Sequence, residues 1–308
     1  MWTAIALSII NLGGLVAYVY FASRDVTGGK SWVPWALGLP VLYFGIVLVL
    51  CLLYFAIAWA FRARRPHDVR IGPRATLRLI WHEYRALVGA APRMILYRWL
   101  VRDPAPARVD VPMLLLHGVL CNAGVWSRMR RDLTRRGVAG IYSLSYGPPL
   151  ASIEDFADQL AQKIDAMLAA TNATSTMVVA HSMGGLVVRA YIRRYGIGKL
   201  AGVLTIGAPH HGSMHAWLMI GTSLAQLRPG NAWLAALNRE RLDPALRFVS
   251  LWSWHDSMVA PQTSSELPGA IDVALIGVGH NALLGDGEVF DRAHAEIVAA
   301  RTESRRIG

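Results

Sequence analysis

Apolar and polar positions divide the chain into three stretches. From Trp2 to Ala22 there are 21 residues without a charge, and from Trp32 to Phe61 there are 30 more. A helix needs roughly 20 apolar residues to cross the hydrocarbon core of a bilayer. Both runs reach that length. The second has residues to spare for tilt, or for an interfacial turn near Pro34 and Pro40. Trp2, Trp32, Trp35 and Trp59 stand near the ends, where interfacial aromatics belong. The first run has no basic n-region and no clear small-residue cleavage site, so it makes a poor removable signal. Residues 1–61 therefore read as a hairpin of two spanning helices with the linker Ser23–Ser31 between them. Buried core helices are the weaker alternative, because two adjacent uncharged runs of this length are rare in soluble domains.

Residues 62–108 follow a different pattern. Leu77, Ile80, Trp81, Tyr84, Leu87 and Val88 recur at helical spacing, and Arg74, Arg78, Glu83 and Arg85 fall mainly outside that stripe. The spacing predicts an amphipathic helix with a basic polar face. It suits either an anionic membrane surface or packing on the main domain with the arginines solvated. A second apolar stretch runs from Met94 to Val101, and Asp103–Ala107 reads as a stiff, proline-containing linker.

From residue 109 to 308, short apolar runs alternate with amphipathic ones. Strands are predicted at Val111–Leu116, Ala139–Leu144, Thr176–Ala180, Leu200–Ile206, Phe248–Trp252 and Val273–Ile276. Helices are predicted at Val125–Arg136, Ile153–Leu168, Met183–Tyr195 and Val289–Arg301. Strands separated by helices imply a mostly parallel sheet covered on both faces, the α/β class. An apolar insertion over residues 213–247 interrupts the alternation and reads as a helical cap. Trp217, Ile220 and Leu224 recur there at helical spacing.

Composition sharpens this picture. Hydrophobic residues make up 54% of the 308 and charged residues 17%, below the roughly one quarter usual in soluble domains. There is ample apolar material for a core, which excludes a disordered chain. Two cysteines, Cys51 and Cys121, exclude a disulfide scaffold and read as unpaired thiols. The net charge of +11 suggests an anionic neighbour. Most of that excess lies between Arg62 and Arg108, where eleven arginines face three acidic residues. With a predicted membrane next door and no recognition motif, the charge points to anionic lipid rather than nucleic acid. Six arginines follow the second helix closely, against Arg24 and Lys30 in the linker. That count places the C-terminal domain on the cytoplasmic face of the inner membrane.

One junction carries chemistry. Met177-Val178-Val179-Ala180 runs into His181-Ser182-Met183-Gly184-Gly185 and then into a helix. This is a strand–turn–helix nucleophile elbow with Ala180 in place of the first consensus glycine. The tight turn lifts Ser182 Oγ above the sheet edge and sets the Met183 amide at a helix start, where it can donate to an oxyanion. His117-Gly118-Val119 closes the first strong strand, and the Val119 amide is the second candidate donor. His117 is read as holding this loop by hydrogen bonds rather than as a general base. An acid and then a histidine must follow the serine on later strand ends. Asp256 and His280 meet that order. His255 precedes the last strand, Asp272 opens a strand at the wrong end, and Asp286 and Asp291 come after His280. His210, His211 and His215 read as shaping the pocket. A catalytic Cys121 is not expected, since nothing presents it on an elbow.

These pieces resemble the α/β-hydrolase superfamily, and within it the bacterial lipase/esterase group. The matching residues are Leu116-His117-Gly118, Ala180–Gly184, Gly207–Ser213, Asp256 with Val259 and Pro261, and Gly279-His280. They span most of residues 111–285. The resemblance implies an α/β-hydrolase fold and ester hydrolysis without a cofactor or metal. The hairpin departs from the secreted lipases. The expectation is a membrane-anchored serine hydrolase acting on hydrophobic, lipid-like acyl esters, with Ser182, His280 and Asp256 as the triad. Val119 and Met183 form the oxyanion hole, and His181, Trp217, Ile220 and Leu224 line the substrate site beneath the cap. Residues 62–108 hold it against anionic lipid. A thioesterase, phospholipase or acyltransferase would use the same site, and a non-catalytic membrane scaffold is the rival from another class.

Overall fold

The computed structural model describes residues 2–307. Two long helices come first, α1 over Trp2–Thr27 and α2 over Val33–Ala60. Both are long and apolar enough to cross a membrane, and only 6% and 17% of their most apolar windows are buried. Large side chains such as Ile9, Ile10, Val41 and Val49 face outward along them, so these are not core helices of the domain that follows. The 28 residues of α2 extend about 42 Å at 1.5 Å each, longer than a hydrocarbon core of about 30 Å. The surplus is used at the C-terminal end, where Cys51, Phe55 and Ala58 are buried. The outer ends of the hairpin both meet the C-terminal domain. Thr3 Oγ1 donates to the Cys121 carbonyl at 3.0 Å. The Tyr54 and Ala58 carbonyls accept from His215 Nε2 at 3.1 Å and Gln262 Nε2 at 3.4 Å.

The connector folds into α3 (Pro73–Val88), α4 (Ala90–Ile95) and α5 (Tyr97–Leu100). Pro73 starts α3 where a missing N–H costs nothing. The buried face of α3 differs from the predicted stripe. Ile80, Tyr84 and Leu87 pack against Cys51 and Phe55 of α2, but Leu77 and Trp81 are exposed. The fully buried positions include Leu79 and Glu83. The reason is that α3 is covered on two sides, by α2 and by loops of the domain. A carboxylate expected on the solvent face is thereby enclosed.

Six parallel strands form the sheet: β1 (Met113–Leu116), β2 (Ile141–Leu144), β3 (Thr176–His181), β4 (Leu200–Ile206), β5 (Phe248–Ser253) and β6 (Ile271–Leu275). Their spatial order is β2-β1-β3-β4-β5-β6. The helices of the domain are α6 (Ser127–Arg135), α7 (Ile153–Thr171), α8 (Gly184–Tyr195), α9 (Thr222–Gln226), α10 (Ala232–Arg239) and α11 (Gly287–Ile307). Side-chain alternation along the strands supplies two cores. Leu114, Leu116, Val178 and Ala180 join α7, α8 and the 213–247 insertion on one face. Met113, Leu115, Met177 and Val179 join α6 and α11 on the other. Several boundaries shift: β1 and β2 start two residues late, at Met113 and Ile141, and the last helix extends over Gly287–Ile307. The predicted Val125–Arg136 helix begins as a 3-10 turn over Ala123–Trp126, and β6 starts two residues early, at Ile271.

Strand order locates the site. From β1 the chain goes outward to β2, then returns to β3 on the other side of β1. The loops leaving β1 and β3 therefore diverge, and a crevice opens at their C-terminal ends, where α/β sheets bind ligands.

Candidate active site

Ser182 sits at that crevice. Its φ is +55°, left-handed for a residue with a Cβ, a conformation that costs about 1–3 kcal/mol and clusters at functional sites. Its amide donates to the Ile206 carbonyl of β4 at 2.9 Å, which pins the turn. Met183 then opens α8, so its amide is among the donors that a helix start leaves without an internal acceptor. The loop after β1 passes directly over the serine. A Cβ on Gly118 would stand 2.8 Å from Ser182 Cβ, so only glycine allows this approach, and Val119 follows at the cavity wall. His117 is buried, stacks on Tyr146 at 4.1 Å and has its Nδ1 2.8 Å from the Gly118 carbonyl. Burial pushes its pKa down to about 4. These contacts hold the loop.

The structure brings Asp256 and His280 together. Asp256 Oδ2 lies 2.8 Å from His280 Nδ1, and both residues are buried. Asp256 Oδ1 accepts from the amides of Met258 and Val259, both at 2.7 Å, which fixes the carboxylate plane. Burial pulls the His280 pKa down, but the charge and hydrogen bond of Asp256, followed by the charge of Glu83, outweigh it. The result is above the ordinary histidine value. His181 packs on His280, with ring centroids 4.6 Å apart. Burial and the neighbouring His280 hold its pKa well below the usual range.

Ser182, His280, His181 and Val119 share one cavity of about 170 Å³. That is close to the roughly 150 Å³ that accommodates a benzene-sized group. Its far wall is not the insertion. Tyr54 of α2, Leu87 of α3 and Met94 of α4 form it, and from residues 213–247 only Met219 takes part. The expected lining residues Trp217 and Ile220 lie exposed, and Leu224 is buried in the core against α7 and α8. None of the three reaches the cavity lining. The insertion packs over the α7/α8 face, and the apolar hairpin and connector occupy the place expected for a cap. His210 and His211 also stand away from this cavity, whereas His215 shapes it indirectly through the Tyr54 carbonyl. Cys121 lines it, with a thiol pKa pushed up to about 12 by burial, which suits a bystander rather than a nucleophile.

Sequence reasoning missed Glu83. Its Oε1 accepts from Ser257 Oγ at 2.7 Å and from Asn281 Nδ2 at 2.8 Å. The Asn281 amide lies 3.0 Å from both oxygens, and the Ala282 amide donates to Oε2 at 2.9 Å. One connector carboxylate thus ties the loop that carries Asp256 to the loop that carries His280. Gly279 makes the approach possible, since a Cβ there would stand 2.5 Å from Glu83 Oε2. The available signal was its isolation: Glu83 is the only acidic residue between Asp68 and Asp103. Among the described residues, no group of three or more His, Cys, Asp or Glu is placed to hold a metal ion.

Comparison with known proteins agrees with this architecture. Residues 111–284 match the model of the alpha/beta hydrolase fold family. A lipase of Bacillus licheniformis, BlEst2 in its mature form, superposes with a TM-score of 0.55 at 15% identity, covering 64% of this chain and 96% of its own. Lipase B of Aspergillus fumigatus gives a TM-score of 0.55 at 18% identity, covering 65% of this chain and 56% of its own. At these identities the two solved structures share the fold. With the family match extending over more than half of its length, the chain belongs to the alpha/beta hydrolase fold family.

Proposed function

We propose that this protein is a membrane-anchored serine hydrolase that cleaves hydrophobic acyl esters. One observation carries the reading. The cavity that contains Ser182 and His280 is walled by Tyr54 of a helix long and apolar enough to span a bilayer. In the proposed reaction, Ser182 Oγ attacks the acyl carbonyl and His280 Nε2 takes its proton. Asp256 holds the imidazole through Nδ1 and stabilises its charged form. The Val119 and Met183 amides receive the oxyanion. His280 returns the proton to the leaving alcohol, and water then hydrolyses the acyl-enzyme by the same steps.

The surroundings of the site support a lipid substrate. Both outer ends of the hairpin meet the catalytic domain, so an acyl chain leaving the cavity past Tyr54 and Leu87 passes along α2. The arginine-rich stretch 62–108 directly follows the hairpin and suits anionic head groups on the cytoplasmic face of the inner membrane.

Fluorophosphonate labelling of the detergent-purified chain tests the reading, beside Ser182→Ala and His280→Ala. Labelling of the wild type and its loss in both variants is the expected result. A panel of esters, thioesters and acceptor alcohols then ranks substrates. A folded wild type that stays unlabelled even with anionic lipid present overturns the proposal.

A further inference from the structure

A second cavity, of about 240 Å³, adjoins the catalytic one. The two share the walls Ala86, Arg93, Asn281 and Leu284, and Asn281 directly follows His280. Their characters differ. Three arginines from three helices converge on the second cavity, Arg85 of α3, Arg93 of α4 and Arg128 of α6, with His82 beside them. Among the described residues, none of these arginines has a carboxylate within salt-bridge distance; the acidic side chains that form ion pairs with arginine engage others. Asp286 also lines the cavity, but its Oδ1 accepts from the Glu288 amide at 2.9 Å at the start of α11.

Arg93 is the built part of this site. Its Nη2 donates to the Ala86 carbonyl at 3.1 Å. The guanidinium lies close over Gly89, where a Cβ would stand 2.5 Å from Nη1. Its Nε is buried without a hydrogen-bond partner among the described residues. Burial and the charge of Arg128 push its pKa down to about 10. A half-buried cation next to a like charge, with no counter-ion in salt-bridge range, is unfavourable until an anion joins it. Planar guanidinium forks match the oxygens of a phosphate.

We propose that this cavity receives the phosphate group of the acyl ester cleaved at Ser182, so that the substrate is an anionic, phosphate-bearing lipid. The proposal rests on the hydrolase reading above and deepens it. An apolar cavity beside a cationic one, with Arg93 and Asn281 between them, has the layout of such an amphiphile. The acyl group lies toward Tyr54 and Leu87, and the phosphate toward Arg85 and Arg128.

The test uses the full-length Ser182→Ala chain in neutral detergent, where bound ester is not consumed. Retained phosphatidylglycerol and diacylglycerol of the same acyl length are measured by native mass spectrometry. Phosphatidylglycerol is expected to be retained roughly tenfold better, the difference that one charge-assisted hydrogen bond supplies. Arg85→Gln and Arg128→Gln, both at exposed positions, are expected to reduce that preference several-fold each, and Arg128→Lys to restore part of it. Melting curves of each variant establish that it is folded.

Equal retention of the two lipids overturns the proposal, as does an unchanged preference in both glutamine variants. So does an equal loss with Arg74→Gln, whose side chain lines neither cavity, because general surface charge then suffices. Inorganic phosphate is the other arm. If it binds alone with the same arginine dependence and as tightly as the lipid, the ligand is a free phosphate and the headgroup assignment fails. Hydrolysis of the two lipids by the unmodified chain is scored separately. Arginine-dependent retention without hydrolysis of any ester refutes the hydrolase reading and leaves the anion site standing.

Discussion

Glu83→Gln is the substitution that most directly tests how the connector governs the candidate site. Glu83 accepts from four donors, Ser257 Oγ, both nitrogens of Asn281 and the Ala282 amide. Glutamine keeps the shape and one oxygen. With that oxygen left at the Oε1 position, the new NH₂ faces the Ala282 amide, and one buried donor loses its acceptor. A buried donor without a partner costs about 1–3 kcal/mol. If returning the His280 loop to its working position meets that cost in the transition state, kcat falls roughly 5- to 150-fold.

The charge has a separate effect. Glu83 helps to raise the His280 pKa, after burial, which opposes the rise, and Asp256, which dominates it. Removing the charge lowers that pKa. The imidazole then remains neutral, and able to act as a base, down to a lower pH. The acidic limb of kcat/KM is expected to move to lower pH while the plateau of kcat drops. The assay is a pH–rate profile with a small soluble ester, for which KM should change little. Gly279→Ala offers an independent route, because its Cβ would stand 2.5 Å from Glu83 Oε2 and displace the carboxylate. A purely structural role would lower the melting temperature without moving the acidic limb. An unshifted limb with kcat within about twofold of wild type rules out this role for Glu83, since the lost hydrogen bond alone predicts more.

Other outcomes follow from the same geometry. Asp256→Asn leaves the loop hydrogen bonds to Met258 and Val259 possible but removes the acceptor that sets the His280 tautomer. It is expected to lower kcat by roughly 10⁴-fold, measured with the same soluble ester; a loss below tenfold would rule out the assigned role of Asp256. The proposed membrane anchoring and its side are open to a labelling test. In a Cys51→Ser, Cys121→Ser background, Ser31→Cys in the interhelical linker should react with an impermeant maleimide added outside the inner membrane. Reaction only from the cytoplasm would reverse the orientation drawn from the charge count.

Much of this protein was legible in its sequence, because the relevant signals are local. The runs that form α1 and α2 stand out by length and lack of charge. The alternation through β1, β3 and β4 is short-range, and the β3–Ser182–α8 junction is a turn whose residue sizes are set by its own backbone. The expectation that Ser182, Asp256 and His280 gather rested on each following a strand end, because parallel strands bring their C-terminal ends to one edge, and Asp256 and His280 do meet there. What roofs that edge could not be read this way. Trp217, Ile220 and Leu224 have helical spacing, but spacing does not say which surface a helix covers. Tertiary packing gave that place to α2, α3 and α4. Glu83 shows the reason most clearly. In sequence it is an acid on the polar side of a basic helix. Its partners Ser257 and Asn281 lie 174 and 198 residues further along the chain. Only the folding of the connector onto the completed sheet turns a solvated charge into a buried clamp, because its burial is stabilised by donors that no local pattern supplies.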